Sequence, residues 1–542
     1  MTPPRKGHVL RAGLSSRVNP DIHGNHAPEG VARVAETFSG RSPQHRVASG
    51  QVRGNAGRPL RIMKFGGTSV GDARCIAKVV EIIQTASHES DVVVVVSAMG
   101  GVTNLLLEAA AHAEAGDRKL VAAIFEKLRA QHETAVSALI HSAVERSRIA
   151  GKMQEVFLEG NRLCEGTVLL RELTPRVRDS ISSLGERLSA PLVAAAIVEH
   201  GVASEAIEAT ALVVTDSYHG AADPCMESTR ERCAVRVHPL LRQGIVPVVT
   251  GFIGATKDGV LTTLGRGGSD YSATILGAAL DADEVIIWTD VDGLLTADPR
   301  LVPGACTVPE ISYREAAELA HFGAKVLHPK TLRAVMQCGI PLWIRNTFAP
   351  ERPGTKITPA GPETGGGVKA LTAVTDAAMI TVGGPGIVGV PDVLGRTFAT
   401  TAAVRADVLL ISQSSSQNNI CLVVSSSRAK YTVEALRREF AQDLAHEKVE
   451  HITLDPAVAV VTVVGQNMRG ISGIVGRTFN ALGRENVNVI AIAQGSSECN
   501  ISFVVSQNDT KAAMVTVHEE FQLGCADLAS VSLDRSYSRL AT

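Results

Sequence analysis

No apolar run in this chain approaches the roughly 18–20 residues that a membrane-spanning helix needs. The valines at 92–96 are far too few and read as a buried strand. Aromatic side chains are scarce, at 4% with two tryptophans, which argues against modules that stack nucleobases. Cysteine is present but never in a metal-binding arrangement. The nine, at 75, 164, 225, 233, 306, 338, 421, 499 and 525, include no C-x-x-C pair and join no histidine in a ligand pattern. A zinc or disulfide scaffold is therefore not expected, and reduced thiols in a cytosolic protein are. A Walker loop, G-x-x-x-x-G-K-[ST], is missing as well.

Charge of either sign is nearly balanced, at −2 over 542 residues, but it is unevenly spread. Residues 1–60 carry eight Arg and one Lys against three acids, so the rest is mildly acidic and unlike a DNA-binding surface. That basic segment has no periodicity and no secretory apolar core, and it is expected to be a disordered extension. Three readings of it stand open: a plain extension or a start codon set upstream of Met63, an organelle transit peptide, or a nucleic-acid arm. A chain of this length is expected to hold two to four domains.

What the chain does contain is concentrated in residues 262–300, TTLGRGGSDYSATILGAALDADEVIIWTDVDGLLTADPR. A turn with Gly265, Gly267 and Gly268 carries Arg266 and Asp270 and opens an Ala-rich helix. Glycines that let backbone N–H groups approach a ligand at the positive end of a helix make an anion site. Arginine adds a planar fork suited to a carboxylate or phosphate. An apolar run, 285–288, then ends in Thr289-Asp290, where open α/β sheets present ligand-binding groups. Asp298-Pro299-Arg300 follows. Two anion sites meet here, which points to an enzyme joining a phosphate donor to an acidic small molecule.

Upstream, 61–65 reads as a strand, followed by Gly66-Gly67-Thr68-Ser69 and an amphipathic helix to about residue 85. Strand, glycines and helix start cradle phosphate, with Thr68 or Ser69 as N-cap and Lys64 placed to reach the same anion. The valine run 91–97 reads as a parallel strand buried on both faces and ends in the small-residue turn 97–104. Helices are expected over 104–175, broken near Gly116 and Gly160, and over 180–200. Glu186 lies early in the latter; taken alone it is a solvated or capping carboxylate more often than a site residue. Further strands at 245–254 and 341–345 complete a parallel, doubly covered sheet. His321 and His328 are seven apart with no third ligand nearby and suit core or capping roles, whereas Lys325 is a candidate phosphate contact.

A Pro/Gly-rich stretch at 350–367 marks a domain boundary, and beyond it the chain repeats itself. Gly395-Arg396-Thr397-Phe398 recurs at Gly476-Arg477-Thr478-Phe479, and ISQSSSQNNICLVVS (411–425) recurs as IAQGSSECNISFVVS (492–506), both at an offset of 81. Each copy reads as strand, loop, helix, strand, turn, strand, helix, so one small module occurs twice. The first copy also matches G-x-G-x-x-G at 384–389, with Asp407 about twenty residues on. Read literally, that is a dinucleotide site and an oxidoreductase. The second copy lacks the pattern and no series of βα units continues, so the match is taken as fortuitous.

The pieces KFGGTSVGD (64–72), SAMGGVTN (97–104), GERLSAPLV (185–193), TLGRGGSDYSA (263–273), WTDVDGLLTADPR (288–300) and FGAKVLHPKT (322–331) together resemble aspartate kinase of the amino-acid-kinase superfamily. The duplicated tail resembles paired ACT domains, most like those of the kinase half of bifunctional aspartate kinase–homoserine dehydrogenases. The resemblance covers about 61–525. It implies a three-layer α/β/α kinase domain with a mainly parallel sheet over 61–357, then two α+β ferredoxin-like ACT modules at 368–455 and 456–530, after the 1–60 extension. By the same resemblance Lys64, Gly66, Gly67 and Lys325 contact the phosphates of ATP, and Thr289, Asp290 and Arg300 lie along the nucleotide. Thr103, Glu186, Arg266 and Ser269 hold L-aspartate, with Arg266 on its α-carboxylate, and Asp270 orients Lys64. Gln413 and Gln494 are the implied contacts for a feedback amino acid, threonine first and lysine second, in a homo-oligomer (dimer or tetramer). Leu295 stands where many relatives have tyrosine, so the nucleotide pocket wall is expected to differ there.

The chemistry fits these residue types. A side-chain carboxylate with a reference pKa near 3.9 is ionised at pH 7 and attacks the γ-phosphate without a general base. The barrier is repulsion between two anions, which lysines and a nucleotide-borne Mg²⁺ reduce by positioning and electrostatics. No metal site formed by the protein's own side chains is expected, no nucleic acid and no membrane. The cytoplasm is the expected location, or a plastid if residues 1–60 are a transit peptide. A non-catalytic amino-acid sensor on the same fold, or another phosphotransferase of the superfamily, stands as the alternative.

Overall fold

The computed structural model describes residues 57–323, 327–362, 367–384, 391–413, 418–495 and 499–524. The expected extension lies outside the described residues but for its last four, of which Leu60 opens the first strand.

The first sheet is built from β1 (Leu60–Phe65), β2 (Asp91–Val96), β3 (Ser204–Ile207), β4 (Val246–Thr250), β7 (Glu284–Thr289), β8 (Glu310–Ser312), β9 (Leu342–Asn346) and β10 (Thr355–Thr358). Between the fourth and seventh lies a separate hairpin of β5 (Ile253–Ala255) and β6 (Leu261–Thr263). The order is β3-β4-β2-β1-β7-β9-β10-β8, and every pairing is parallel except β9 with β10. Such a sheet needs helices on both faces, and β2 is accordingly buried along its whole length. Side chains of β1 alternate: Met63 and Phe65 join the core under the helices from 73 to 199, while Ile62 joins that under Gly268–Ala279, Tyr313–His321 and Pro329–Cys338. Lys64 therefore points to the same face as Ile62. This alternation is what aims Lys64 at the arginine turn, whereas Arg61 pairs with Glu284.

Three local expectations change. Asp72, not Thr68 or Ser69, caps the helix Ala73–Glu89, accepting from the Cys75 N–H at 2.9 Å. Ser69 is instead buried, its hydroxyl 2.7 Å from that of Thr347. Gly160 does not break a helix. It lies inside Ala143–Leu170, where a Cβ would come within 2.6 Å of Leu184 and 2.7 Å of Phe125. Residues Pro175–Glu199 form the one stretch among the described residues long and apolar enough to cross a membrane by length and composition, yet 83% of its most apolar window is buried inside the protein. It is a core segment of two successive helices, Pro175–Ser182 and Leu184–Glu199, the second of which carries Glu186. Thiols are free at Cys75, Cys164, Cys225, Cys233, Cys338 and Cys421.

The second sheet joins β11 (Gly367–Gly383), β12 (Val408–Gln413), β13 (Asn419–Ser425), β14 (His451–Gln466), β15 (Ala491–Ala493) and β16 (Asn500–Ser506) in the order β12-β13-β11-β14-β16-β15. All its pairings are antiparallel, so the glycine match at 384–389, of which only Gly384 is described, is not part of a parallel βαβ unit. Strands β11 and β14 are long enough to run through both copies of the repeat. A boundary at 455–456 thus falls inside one continuous strand. The recurring Gly-Arg-Thr-Phe motif has a packing role. Arg396 binds Glu439 and Asp443 and covers the Phe440 ring at 4.5 Å. Arg477, 81 residues on, binds Glu520 and covers Phe521 at 4.6 Å. Each arginine clamps the two helices of its own copy together.

Candidate active site

The C-terminal end of β1, the turn that follows β2 and the start of the helix Gly268–Ala279 surround one cleft of about 360 Å³. The glycine turn after β1 is tied to its neighbour by the Gly66 N–H donating to the Trp288 carbonyl at 3.2 Å. Space for side chains is tight there, since a Cβ on Gly66 would stand 3.3 Å from Lys64 Nζ and one on Gly67 3.2 Å from the Ala98 carbonyl. Lys64 is 8% exposed, and its Nζ lies 2.5 Å from Asp270 Oδ1, an oxygen that otherwise has no hydrogen-bond partner among the described residues. Burial of a lone ammonium is costly, and the paired carboxylate offsets that cost. The arginine turn enters the helix through Gly267 at φ +69°, where a Cβ would also lie 2.8 Å from that of His328. His328 caps the helix Pro329–Cys338 through its own side chain, as expected of a capping histidine.

The walls of the cleft bring together Lys64, Gly67, Thr103, Glu186, Arg266, Ser269 and Asp270, seven residues that come from four separate stretches of sequence. Glu186 is not the solvated carboxylate its isolated setting suggested. It is 3% exposed, its Oε2 has no hydrogen-bond partner among the described residues, and burial pushes its pKa up to about 8, opposed by the N–H groups of Ala98 and Glu186 and by the Lys64 charge. Phe252 and Asn104 also line the cleft and were missed. Phe252 holds a positive φ of 69°, a strained state for an aromatic residue and one often found at functional sites. Its position between β4 and β5 gave no compositional signal.

The nucleotide-side candidates are placed less uniformly. Thr289 ends β7, and its hydroxyl donates to Asp290 at 3.2 Å. Both follow directly on Trp288, whose carbonyl holds the glycine turn. Arg300 is not in the cleft: its side chain is 73% exposed and folds back on Asp298 at 2.5 Å. Lys325 lies outside the described residues. In the second sheet Gln413 and Gln494 are exposed, and the Ser412 hydroxyl donates to the Ile492 carbonyl at 3.2 Å. The outer strands β12 and β15 thereby bring the two glutamine positions to one region. No group of three or more His, Cys, Asp or Glu side chains suited to a metal occurs among the described residues.

The raised Glu186 pKa has consequences of definite sign. The folded protein holds this proton above the ordinary value of 4.5, so the stability it contributes is full below that value and is lost as pH rises towards about 8. Pairing with a substrate ammonium requires the ionised form. For any substrate whose ammonium pairs with Glu186, kcat/KM is expected to rise between pH ~6.5 and ~9, because kcat/KM reports the free enzyme. Steady-state rates across that range should show the inflection in the parent protein and none in Glu186→Gln.

A family model described as the amino acid kinase family matches residues 59–346, and an ACT domain model matches 380–440 and 461–521. The chain belongs to the amino acid kinase family. It is 34% identical over 476 residues to bifunctional aspartokinase/homoserine dehydrogenase 1, chloroplastic, of Arabidopsis thaliana, covering 86% of this chain and 52% of that protein. The chain spans about half the length of such curated relatives. It is also 32% identical over 465 residues to aspartokinase 1, chloroplastic, of the same plant, covering 85% of this chain and 80% of that one. Among solved structures, E. coli aspartokinase III in complex with aspartate and ADP (R-state) aligns with a TM-score of 0.72 at 28% identity, over 85% of this chain and 100% of the other. The same enzyme with lysine and aspartate (T-state) aligns at 0.70, with 28% identity over 85% of this chain and 99% of that one.

Proposed function

We propose that this chain is an aspartate kinase, transferring the γ-phosphoryl group of ATP to the β-carboxylate of L-aspartate to form 4-phospho-L-aspartate, the first step towards lysine, threonine and methionine. The observation that carries the reading is the single cleft in which the Lys64–Asp270 pair faces Arg266 and Glu186. Arg266 takes the α-carboxylate and ionised Glu186 the ammonium, with Thr103 and Ser269 completing the amino-acid subsite. The β-carboxylate then lies towards Lys64. MgATP enters as the nucleotide substrate, the ion taking phosphate oxygens and water, with the glycine turn, Thr289, Asp290 and Arg300 along it and Lys325 stabilising the transferring group. Lys64 offsets the charge that spreads over the phosphoryl oxygens. Purified protein should release ADP only when aspartate and Mg²⁺ are both present. Use of glutamate, carbamate or UMP with no response to aspartate would make it a different kinase of the family, and no turnover with any acceptor would make it a sensor. The reaction belongs in the cytoplasm, with plastid import through residues 1–60 as the alternative that fits the chloroplast proteins among its relatives.

The tail is read as a feedback sensor for threonine or lysine, with Gln413 and Gln494 as effector contacts. Support comes from how it meets the catalytic part. Ala297 and Val302, in the loop after β7, share a core with Val461, Met514 and Val517 of the second repeat, and Thr296 is 2.9 Å from His518 Nε2. An effector inhibits only by preferring one arrangement of such a contact. His518→Phe keeps a ring but loses the hydrogen bond, so half-inhibition by threonine or lysine should need ~3–10-fold more effector, with uninhibited activity retained. ADP release titrated with each amino acid measures this. Exposed Ile411 and Ile492 on the outer strands, at 46% and 47%, support self-association through these edges.

A further inference from the structure

Given the aspartate kinase reading on which it rests, we propose that Asp179 is a positioning residue for the amino-acid subsite, setting where Arg266 and Glu186 stand without touching substrate. Asp179 is 2% exposed and does not line the cleft. A carboxylate buried so deeply is retained only where donors surround it, and this one has four. Its Oδ1 accepts from the Thr263 hydroxyl at 2.7 Å, and its Oδ2 accepts from the Thr263 N–H at 3.2 Å and the Gly220 N–H at 3.1 Å and lies 2.8 Å from His219 Nδ1.

These donors hold the arginine turn from two sides. Thr263 ends β6 and lies three residues before Arg266. The Gly220 carbonyl packs beneath the same turn, 2.9 Å from where a Cβ on Gly265 would stand, and the Ala222 N–H donates to the Thr263 carbonyl at 2.9 Å. The Arg266 side chain is exposed and makes no hydrogen bond or ion pair among the described residues, so its place at the cleft wall rests on the backbone of the turn. On the other side Asp179 belongs to the helix Pro175–Ser182, and its carbonyl accepts from the Ser183 N–H at 3.0 Å at the start of the helix that carries Glu186. One buried carboxylate thus joins the support of the cationic wall to the support of the anionic one. The spacing of those walls decides whether an amino acid's carboxylate and ammonium are met together.

Asp179→Asn keeps the volume but turns an amide donor towards existing donors. Steady-state kinetics should show the KM for L-aspartate raised ~10-fold or more, as expected when buried donors lose their acceptor, with the KM for ATP within about twofold of the parent. Should that variant fold poorly, Thr263→Val removes only the hydroxyl donor and is expected to raise the same KM ~3–10-fold, while Thr263→Ser restores it. Calorimetric titration with L-aspartate should show the same ranking of affinities. An unchanged KM for aspartate in both Asp179→Asn and Thr263→Val, or an equal rise in both KM values, overturns the inference alone. A parent protein that neither phosphorylates nor binds aspartate overturns the kinase reading and this inference with it.

Discussion

Replacement of Lys64 by alanine should lower kcat for aspartate-dependent ADP release by about 10³-fold, the scale of losing one preorganised group at developing charge. Lys64 is the only cation of β1 that enters the cleft, and its partner Asp270 fixes it before substrate arrives. The fixed geometry matters because a mobile ammonium would have to reorganise as the phosphoryl group transfers. Removing the lysine also leaves Asp270 as an uncompensated, largely buried carboxylate, which destabilises the fold. The double variant Lys64→Met, Asp270→Asn separates the two effects. Its denaturation midpoint should return towards that of the parent while turnover stays lost. Recovery of turnover in the double variant would remove Lys64 from the chemistry.

Replacement of Arg266, which is exposed in the free protein, by alanine should raise the KM for aspartate by about 10-fold or more, because a hydrogen bond to a charged group contributes roughly 1.5–3 kcal/mol. The KM for ATP should change little. Lysine at this position is not expected to rescue, since a point charge on a flexible stem does not reproduce the planar fork of a guanidinium. Aspartate titrations at saturating ATP decide the matter. Equal losses for both substrates would mean that Arg266 holds the fold of the turn and not the ligand.

Much of this site was legible before any coordinates. Lys64, Arg266 and Asp270 announced themselves because strand ends and glycine turns are local features, written in consecutive residues. The duplicated tail was equally plain from its 81-residue offset. What sequence did not disclose depends on chain segments far apart meeting. Nothing local says that Glu186 is buried, that Phe252 adopts a left-handed backbone, or that Asp179 receives donors 40 and 84 residues away. Ser69 looked like a helix cap because the competing partner, Thr347, is 278 residues downstream. Arg300 sits on its own neighbour Asp298, a pairing that its placement in a nucleotide motif did not indicate. The boundary inside β14 failed for a related reason, since a repeat in sequence does not reveal that its copies exchange strands.

The sharing of Ala297 and Val302 with the interior of the second repeat has a consequence for how such a polypeptide can be rearranged. Separated from its tail, the catalytic half would present those side chains and their neighbours to water as a sticky scar. The tail, expressed by itself, would keep a hole where they belong. The tail is therefore no detachable accessory, and recombination that shuffles one half onto a foreign partner must bring a matching plug or suffer aggregation.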